Sequence, residues 1–134
     1  PVILFIIAGV MALSTGTSWG SFGILLPLAG DIVATMDSSM LLPSLAAVLA
    51  GAVFGDHCSP ISDTTILSST GAGCNHIDHV MTQLPYALTS AVIAALGFVV
   101  LGFTRCSIVA LLVVVLLSVI TLLVIKKIAS LQKV

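Results

Sequence analysis

A chain of 134 residues with 59% hydrophobic and 7% charged side chains, and a net charge of −1, cannot cover a globular surface with polar groups. Soluble domains carry about a quarter charged residues, and a mean hydropathy of +1.31 instead points to a lipid bilayer. The five acidic residues are all aspartate, and the four Lys and Arg form no basic stripe, which excludes a nucleic-acid footprint.

The chain opens at Pro1 inside an apolar run, with neither the basic segment nor the small-residue cleavage site of a secretory signal. We expect it to be the C-terminal part of a larger protein, with an N-terminal half lying elsewhere. Cys58, Cys74 and Cys106 are too few and too scattered for a disulfide framework and read as free thiols.

Two stretches in the first half interrupt the apolar pattern. "VILFIIAGVMAL" (2–13) gives way to "STGTSWGSFG" (14–23), with three serines, two threonines and three glycines, before "ILLPLAGDIVATM" (24–36) resumes. Residues 40–54 are apolar again, then come "GDHCSPISDTT" (55–65) and "ILSSTGAG" (66–73). We read 1–36 and 40–73 as two broken spans. Irregular backbone at membrane depth survives only where it is buried in protein or lines a cavity. A pair of Gly/Pro-interrupted apolar segments is the best sequence pointer to a transporter binding site. Residues 74–80 then read as a loop, and 84–103 and 107–125 as intact spans joined by "TRC" into an antiparallel hairpin, each near the 20 residues a spanning helix needs.

Lys126, Lys127 and Lys133 follow the last span, and Arg105 stands alone at the hairpin tip. The positive-inside rule puts the C-terminus and the 74–80 loop in the cytoplasm, and "TRC" and "DSS" (37–39) outside. The two broken spans are then antiparallel, with their polar patches at similar depth.

"GDHCSPISDTT" reads either as a solvated loop or as an ion site. Aspartate, serine and proline suit loops, but an aqueous loop here leaves "ILSSTGAG" too short to cross. An intramembrane aspartate is a functional candidate by default. Asp56, Ser59, Ser62, Asp63, Thr64 and Thr65 offer the oxygen ligands a small hard cation wants. Gly55 and Pro60 mark the helix break, and Pro60 frees nearby carbonyls. In "STGTSWGSFG", Ser14, Thr15, Thr17 and Ser18 face the same task; the plainer reading is a Gly/Ser connector or close helix packing. A carboxylate that holds either a proton or a sodium ion makes the two compete, the minimal mechanism of antiport.

Other chemistries fit less well. "GTSW" and "VFGD" approach two intramembrane protease motifs but miss them at Trp19 and Val53. His57, Cys58, Cys74, His76 and His79 are zinc-binding types without a zinc spacing. His76, Asp78 and His79 read as a cytoplasmic loop, with pH sensing as the functional alternative.

"GDHCSPISDTTILSSTGAGCNHIDHVMTQLPYAL" resembles the signature region of the NhaC-type sodium/proton antiporters, and "STGTSWGSFGILLPL" is similar to a second stretch of that family. The likeness runs over about residues 14–88; the last two helices match only as apolar spans. It implies a polytopic inner-membrane carrier exchanging Na+ for H+, several times longer than this chain, with relatives that move organic anions or amino acids. It carries Asp56, His57, Ser59, Ser62, Asp63, Thr64 and Thr65 as the ion-binding set, with Ser14, Thr15, Thr17 and Ser18. We therefore expect an all-α polytopic membrane protein: two interrupted transmembrane helices, then an antiparallel transmembrane hairpin, forming half of an inverted-repeat transporter. Its partners are Na+, H+ and the bilayer, with no cofactor, no enzymatic activity and no resident metal. Two alternatives stand beside this reading: a sodium-coupled carrier of a small organic anion or amino acid, and a non-transporting truncated fragment.

Overall fold

The computed structural model describes residues 1–131 and is all-helical over them. Lys133, used above for orientation, lies outside the described residues. The helices are α1 (Val2–Thr15), α2 (Ser18–Met36), α3 (Leu41–Cys58), α4 (Asp63–Ala72), α5 (His76–Thr104) and α6 (Ser107–Leu131), with a 3₁₀ turn at Ser38–Met40.

Local chemistry sets each boundary. Gly16 ends α1 in the left-handed conformation at φ 70°, and Thr17 caps α2 by accepting from the Gly20 N–H. Glycine enters that conformation without the steric cost a side chain carries. The Asp37 carboxylate accepts from the Ser39 N–H at 3.1 Å and hydroxyl at 2.6 Å, opening the turn into α3. Pro60 stops α3, since a proline cannot donate to the helical ladder and holds the residue before it extended; Ser59 is extended, at φ −79° and ψ 126°. Ser62 then caps α4, Gly73 closes it at φ 63°, and Asn75 caps α5.

Side-chain contacts fix the directions. A Cβ on Gly51 would overlap the Phe5 carbonyl, and one on Gly55 the Gly9 carbonyl and the Leu13 N–H. Helices α1 and α3 therefore run parallel with backbones touching, a separation that small residues permit. Leu25 and Ala29 of α2 pack with Ala8 and Ala12 of α1 and Val48 and Ala52 of α3. Ser18, at the start of α2, meets Asp56, near the end of α3. So α2 runs back along α3, and α1 and α2 form a hairpin whose tip is Gly16–Thr17. Helix α5 runs antiparallel to α3: Gln83 bonds the His57 carbonyl, and Phe98 packs tilted against Phe5 with centroids 5.5 Å apart. Helix α6 turns back along α5, Val114 filling the space over Gly97.

Two expectations need correction. Residues 1–36 do not make one interrupted passage; the chain reverses at Gly16. Both outer ends of that hairpin lie at the Arg105 end of the bundle. Pro1 approaches Gly102, and Asp37 pairs with Arg105 at 2.9 Å. The reversal follows from the short 37–40 link, which cannot return α3 beside α1 unless α2 has already come back. The second correction concerns 74–80: His76 to Val80 are already helical, because Asn75 starts α5 there.

The Asp37–Arg105 pair joins the α2–α3 link to the α5–α6 tip. Its carboxyl is held below the ordinary aspartate range, first by the Ser39 hydroxyl, then by the Ser39 N–H and the Arg105 charge, against some desolvation.

With an impermeant maleimide, Val2→Cys, Ser39→Cys and the native Cys106, each as the only cysteine present, should react from one side of the membrane, and Ile77→Cys from the other. Labelling of Val2→Cys from the Ile77 side would restore a single passage over 1–36.

Candidate cation site

The hairpin tip of α1–α2 sits on the interruption between α3 and α4. A Cβ on Gly16 would stand 2.8 Å from both the Ile61 carbonyl and its Cγ1. The two hydroxyl-rich patches therefore meet, and Asp56 lies where they cross.

Asp56 occupies the last turn of α3 at 5% exposure. Its Oδ1 accepts from the Ser62 hydroxyl at 2.7 Å. Its Oδ2 accepts from Ser18 at 3.3 Å and Thr64 at 3.4 Å. Ser62 serves two roles, because its Oγ also caps α4 by accepting from the Thr64 N–H at 3.2 Å. Ser18 and Thr64 are the first and second residues of their helices, so the N-terminal ends of α2 and α4 converge on one carboxylate. The partial positive charge of a helix N-terminus complements that anion.

Two further hydroxyls are buried without partners: Ser59 at 0% exposure and Thr65 at 3%. Buried polar groups are nearly always hydrogen-bonded, so two orphan hydroxyls three and nine residues after the buried carboxylate stand out. Among the described residues, the one ion pair is Asp37–Arg105, at the far end of the bundle, and Asp56 has no cationic partner. No group of three or more His, Cys, Asp or Glu side chains suited to a metal forms among them either.

The other sequence-nominated residues divide. Thr17 caps α2 at the edge of the crossing. Ser14 and Thr15 are exposed and donate to carbonyls of their own helix, Val10 at 2.8 Å and Met11 at 2.9 Å, so they do not reach Asp56. Asp63 is exposed as the first residue of α4, outside the hydroxyl ring. His57 is exposed, donates Nδ1 to the Val53 carbonyl at 3.0 Å, and lines an apolar cavity of about 710 Å³ with Phe5, Val53, Phe54 and Ala91. None of the hydroxyls around Asp56 borders that cavity. Gly55 does not mark the break; α3 runs through it, and its missing side chain serves the contact with α1. Pro60 does stand in the break, and its carbonyl accepts from His76 Nε2 at 2.6 Å. Reasoning from sequence overlooked Gln83. The signal was its spacing of seven from His76, which puts both on one face of a helix.

Comparison with known proteins now gives the geometry a family. Residues 1–103 match the Na+/H+ antiporter family. The chain belongs to that family. It is similar to an uncharacterised protein of Haemophilus influenzae, 65% identical over 104 residues covering 78% of this chain and 20% of that protein. It is also similar to a malate-2H(+)/Na(+)-lactate antiporter of Bacillus subtilis, 37% identical over 101 residues, 73% of this chain and 21% of that one. A third relative, an uncharacterised Na(+)/H(+) antiporter of Haemophilus influenzae, is 36% identical over 101 residues, 75% of this chain and 21% of that protein. The chain thus spans about a fifth of the length of these curated relatives. No solved structure matches. Family and fold agree on a multi-pass membrane protein. Four helical stretches are long and apolar enough to cross a bilayer: Ser18–Met36, Ser38–Cys58, His76–Thr104 and Ser107–Ile128.

Ser62→Ala removes a buried charge-assisted hydrogen bond and a helix cap together, so it should cost about 1–3 kcal/mol. Ser14→Ala removes only an exposed bond within its own helix and should stay within about 0.5 kcal/mol. Unfolding midpoints of the purified protein in detergent compare the two. Equal midpoints would mean that Ser62 does not hold the crossing together.

Proposed function

We propose that this chain supplies the cation-binding part of a secondary active transporter, and that Na+ and H+ compete there for Asp56. The observation that carries the reading is a buried carboxylate held by three hydroxyls with no cationic partner among the described residues, with two buried, unpartnered hydroxyls in the same 59–65 segment. A buried charge left unpaired is strongly unfavourable. A proton neutralises Asp56 covalently. A sodium ion neutralises it while taking lone pairs from oxygens around it, Ser59 and Thr65 among them. Each ion supplies the same unit of charge, so the site holds one or the other. Alternating exposure of such a site to the two sides of the membrane is antiport.

In this reading Ser18, Ser62 and Thr64 turn hydroxyl oxygens to the bound cation, and Asp63 is an outer carboxylate that draws cations to the crossing. Helices α3 and α4 form one interrupted passage, while the α1–α2 hairpin brings its tip to the interruption. Lys126 and Lys127 favour a cytoplasmic C-terminus, with the carrier in the inner membrane. The rest of a longer carrier, related to this part by an inverted repeat, completes the path.

The printed name of the Bacillus subtilis relative supports a second reading within the family: sodium-coupled movement of a small carboxylate. The N-termini of α2 and α4 suit an anion as well as Asp56 suits a cation. Dependence of sodium flux on added lactate, malate or an amino acid distinguishes the two. A non-transporting fragment predicts no flux with any of them.

In everted vesicles carrying the full-length carrier, Asp56→Asn should reduce sodium-dependent proton movement to background, because an amide keeps a carbonyl oxygen but cannot exchange a proton. Asp63→Asn should raise the half-saturating sodium concentration by no more than about fivefold, the scale of an exposed charge. Exchange at the wild-type rate in Asp56→Asn would remove Asp56 from the mechanism.

A further inference from the structure

Helix α5 makes two hydrogen bonds across to the break that the cation reading does not use. His76 Nε2 stands 2.6 Å from the Pro60 carbonyl, and Gln83 Nε2 donates to the His57 carbonyl at 2.9 Å. These carbonyls flank the two residues where α3 ends. The last carbonyls of a helix have no partner within it, so the His57 carbonyl must be satisfied from elsewhere, and the Pro60 carbonyl stands just past the helix end. His76 and Gln83 are seven residues apart, two turns of α5, so one face presents both donors.

The His76 ring is itself held. A carbonyl only accepts, so Nε2 carries the hydrogen, and Nδ1 faces the Ser69 hydroxyl of α4 at 3.1 Å. That hydroxyl is also 2.9 Å from the Ile66 carbonyl, so its one hydrogen serves either contact. His76 thereby touches both sides of the interruption: the Pro60 carbonyl after α3, and Ser69 in the last turns of α4.

We propose that His76 and Gln83 are positioning residues for the cation site, a strap from α5 that fixes the backbone of the break. Ser59 and Ser62 lie between and beside the two strapped carbonyls, and Ser62 carries the shortest bond to Asp56. Release of either carbonyl lets the 59–62 segment relax and moves those hydroxyls away from Asp56. Any displacement of α5 relative to α3 pulls on the same two carbonyls, so the strap also transmits helix movement to the site. The inference rests on the cation reading above for its effect on sodium, but not for its effect on the backbone.

The test compares His76→Leu, His76→Gln and Gln83→Leu in the full-length carrier, with two readouts. The first is sodium-dependent proton movement in vesicles normalised for carrier content. His76→Leu should raise the half-saturating sodium concentration by about tenfold and leave the maximal rate within about twofold, the scale of one lost hydrogen bond. Gln83→Leu should act in the same direction. His76→Gln places an amide N–H where Nε2 was and should restore the wild-type value. The second readout is amide hydrogen exchange over residues 59–66, which should quicken in both leucine variants whether or not sodium acts. Absence of sodium-dependent movement in the wild type would sink the cation reading alone, since the exchange readout still decides the strap. Unchanged amide exchange in both leucine variants would overturn the strap, as would a His76→Gln defect equal to that of His76→Leu.

Discussion

A carboxylate withdrawn from water must be neutralised or surrounded, and the rest of this fold serves that requirement at Asp56. Three hydroxyls and two helix N-termini gather around it. None of these brings a full positive charge, so the arrangement stops short of the ion pair that would fix Asp56 permanently in one state. A buried pair with Lys or Arg would make a structural anion. In the proposed reading, hydroxyls leave the charge open to compensation by a proton or a sodium ion.

Bringing two interruptions to one point sets demanding conditions on packing. Gly51 and Gly55 let α1 lie against α3 with no side chain between, and Gly16 lets the hairpin tip turn beneath Ile61. The core between α1, α2 and α3 is built from Ala8, Ala12, Ala29 and Ala52 with Val48 and Leu25. In lipid there is no hydrophobic drive between helices, so close contact between small residues supplies the association. At the opposite end, the Asp37–Arg105 pair ties the α2–α3 link to the α5–α6 tip. Side chains on α6 are mostly exposed, apart from Ala110 and contacts near Val114, leaving a broad apolar face on that helix.

Much of this was legible in the sequence, and the remainder failed for physical reasons. Composition pointed to a membrane protein, and apolar runs of about 20 residues made its spans helical. The hydroxyl-rich patches were visible as departures from apolar runs, and Pro60 identified the stop in α3. Gly16 was visible too, but a glycine that turns a chain through a hairpin and one that permits a small kink look the same in sequence. Only the four-residue link at 37–40, read with the helix lengths, distinguishes them. Asp56 and Asp63 looked equivalent as text. Burial separates them, because one closes α3 against the hairpin while the other opens α4 towards its exposed side. Gly55 was misread for a related reason: a small residue beside a break serves packing as readily as it serves flexibility. Gln83 was overlooked because its role is to satisfy a backbone carbonyl, and its spacing of seven from His76 gains meaning only once both lie on one helix.

In the proposed mechanism one carboxylate, Asp56, gives up its proton when sodium arrives. Sodium-induced infrared difference spectra of the full-length carrier, recorded at a pH low enough to load the site with protons, read that event directly. Sodium should erase a protonated-carboxyl band in the wild type and in Asp63→Asn, and Asp56→Asn should show no such band to lose. A sodium-sensitive carboxyl band that survives in Asp56→Asn would place the exchangeable proton on another residue and rule out Asp56 as its carrier.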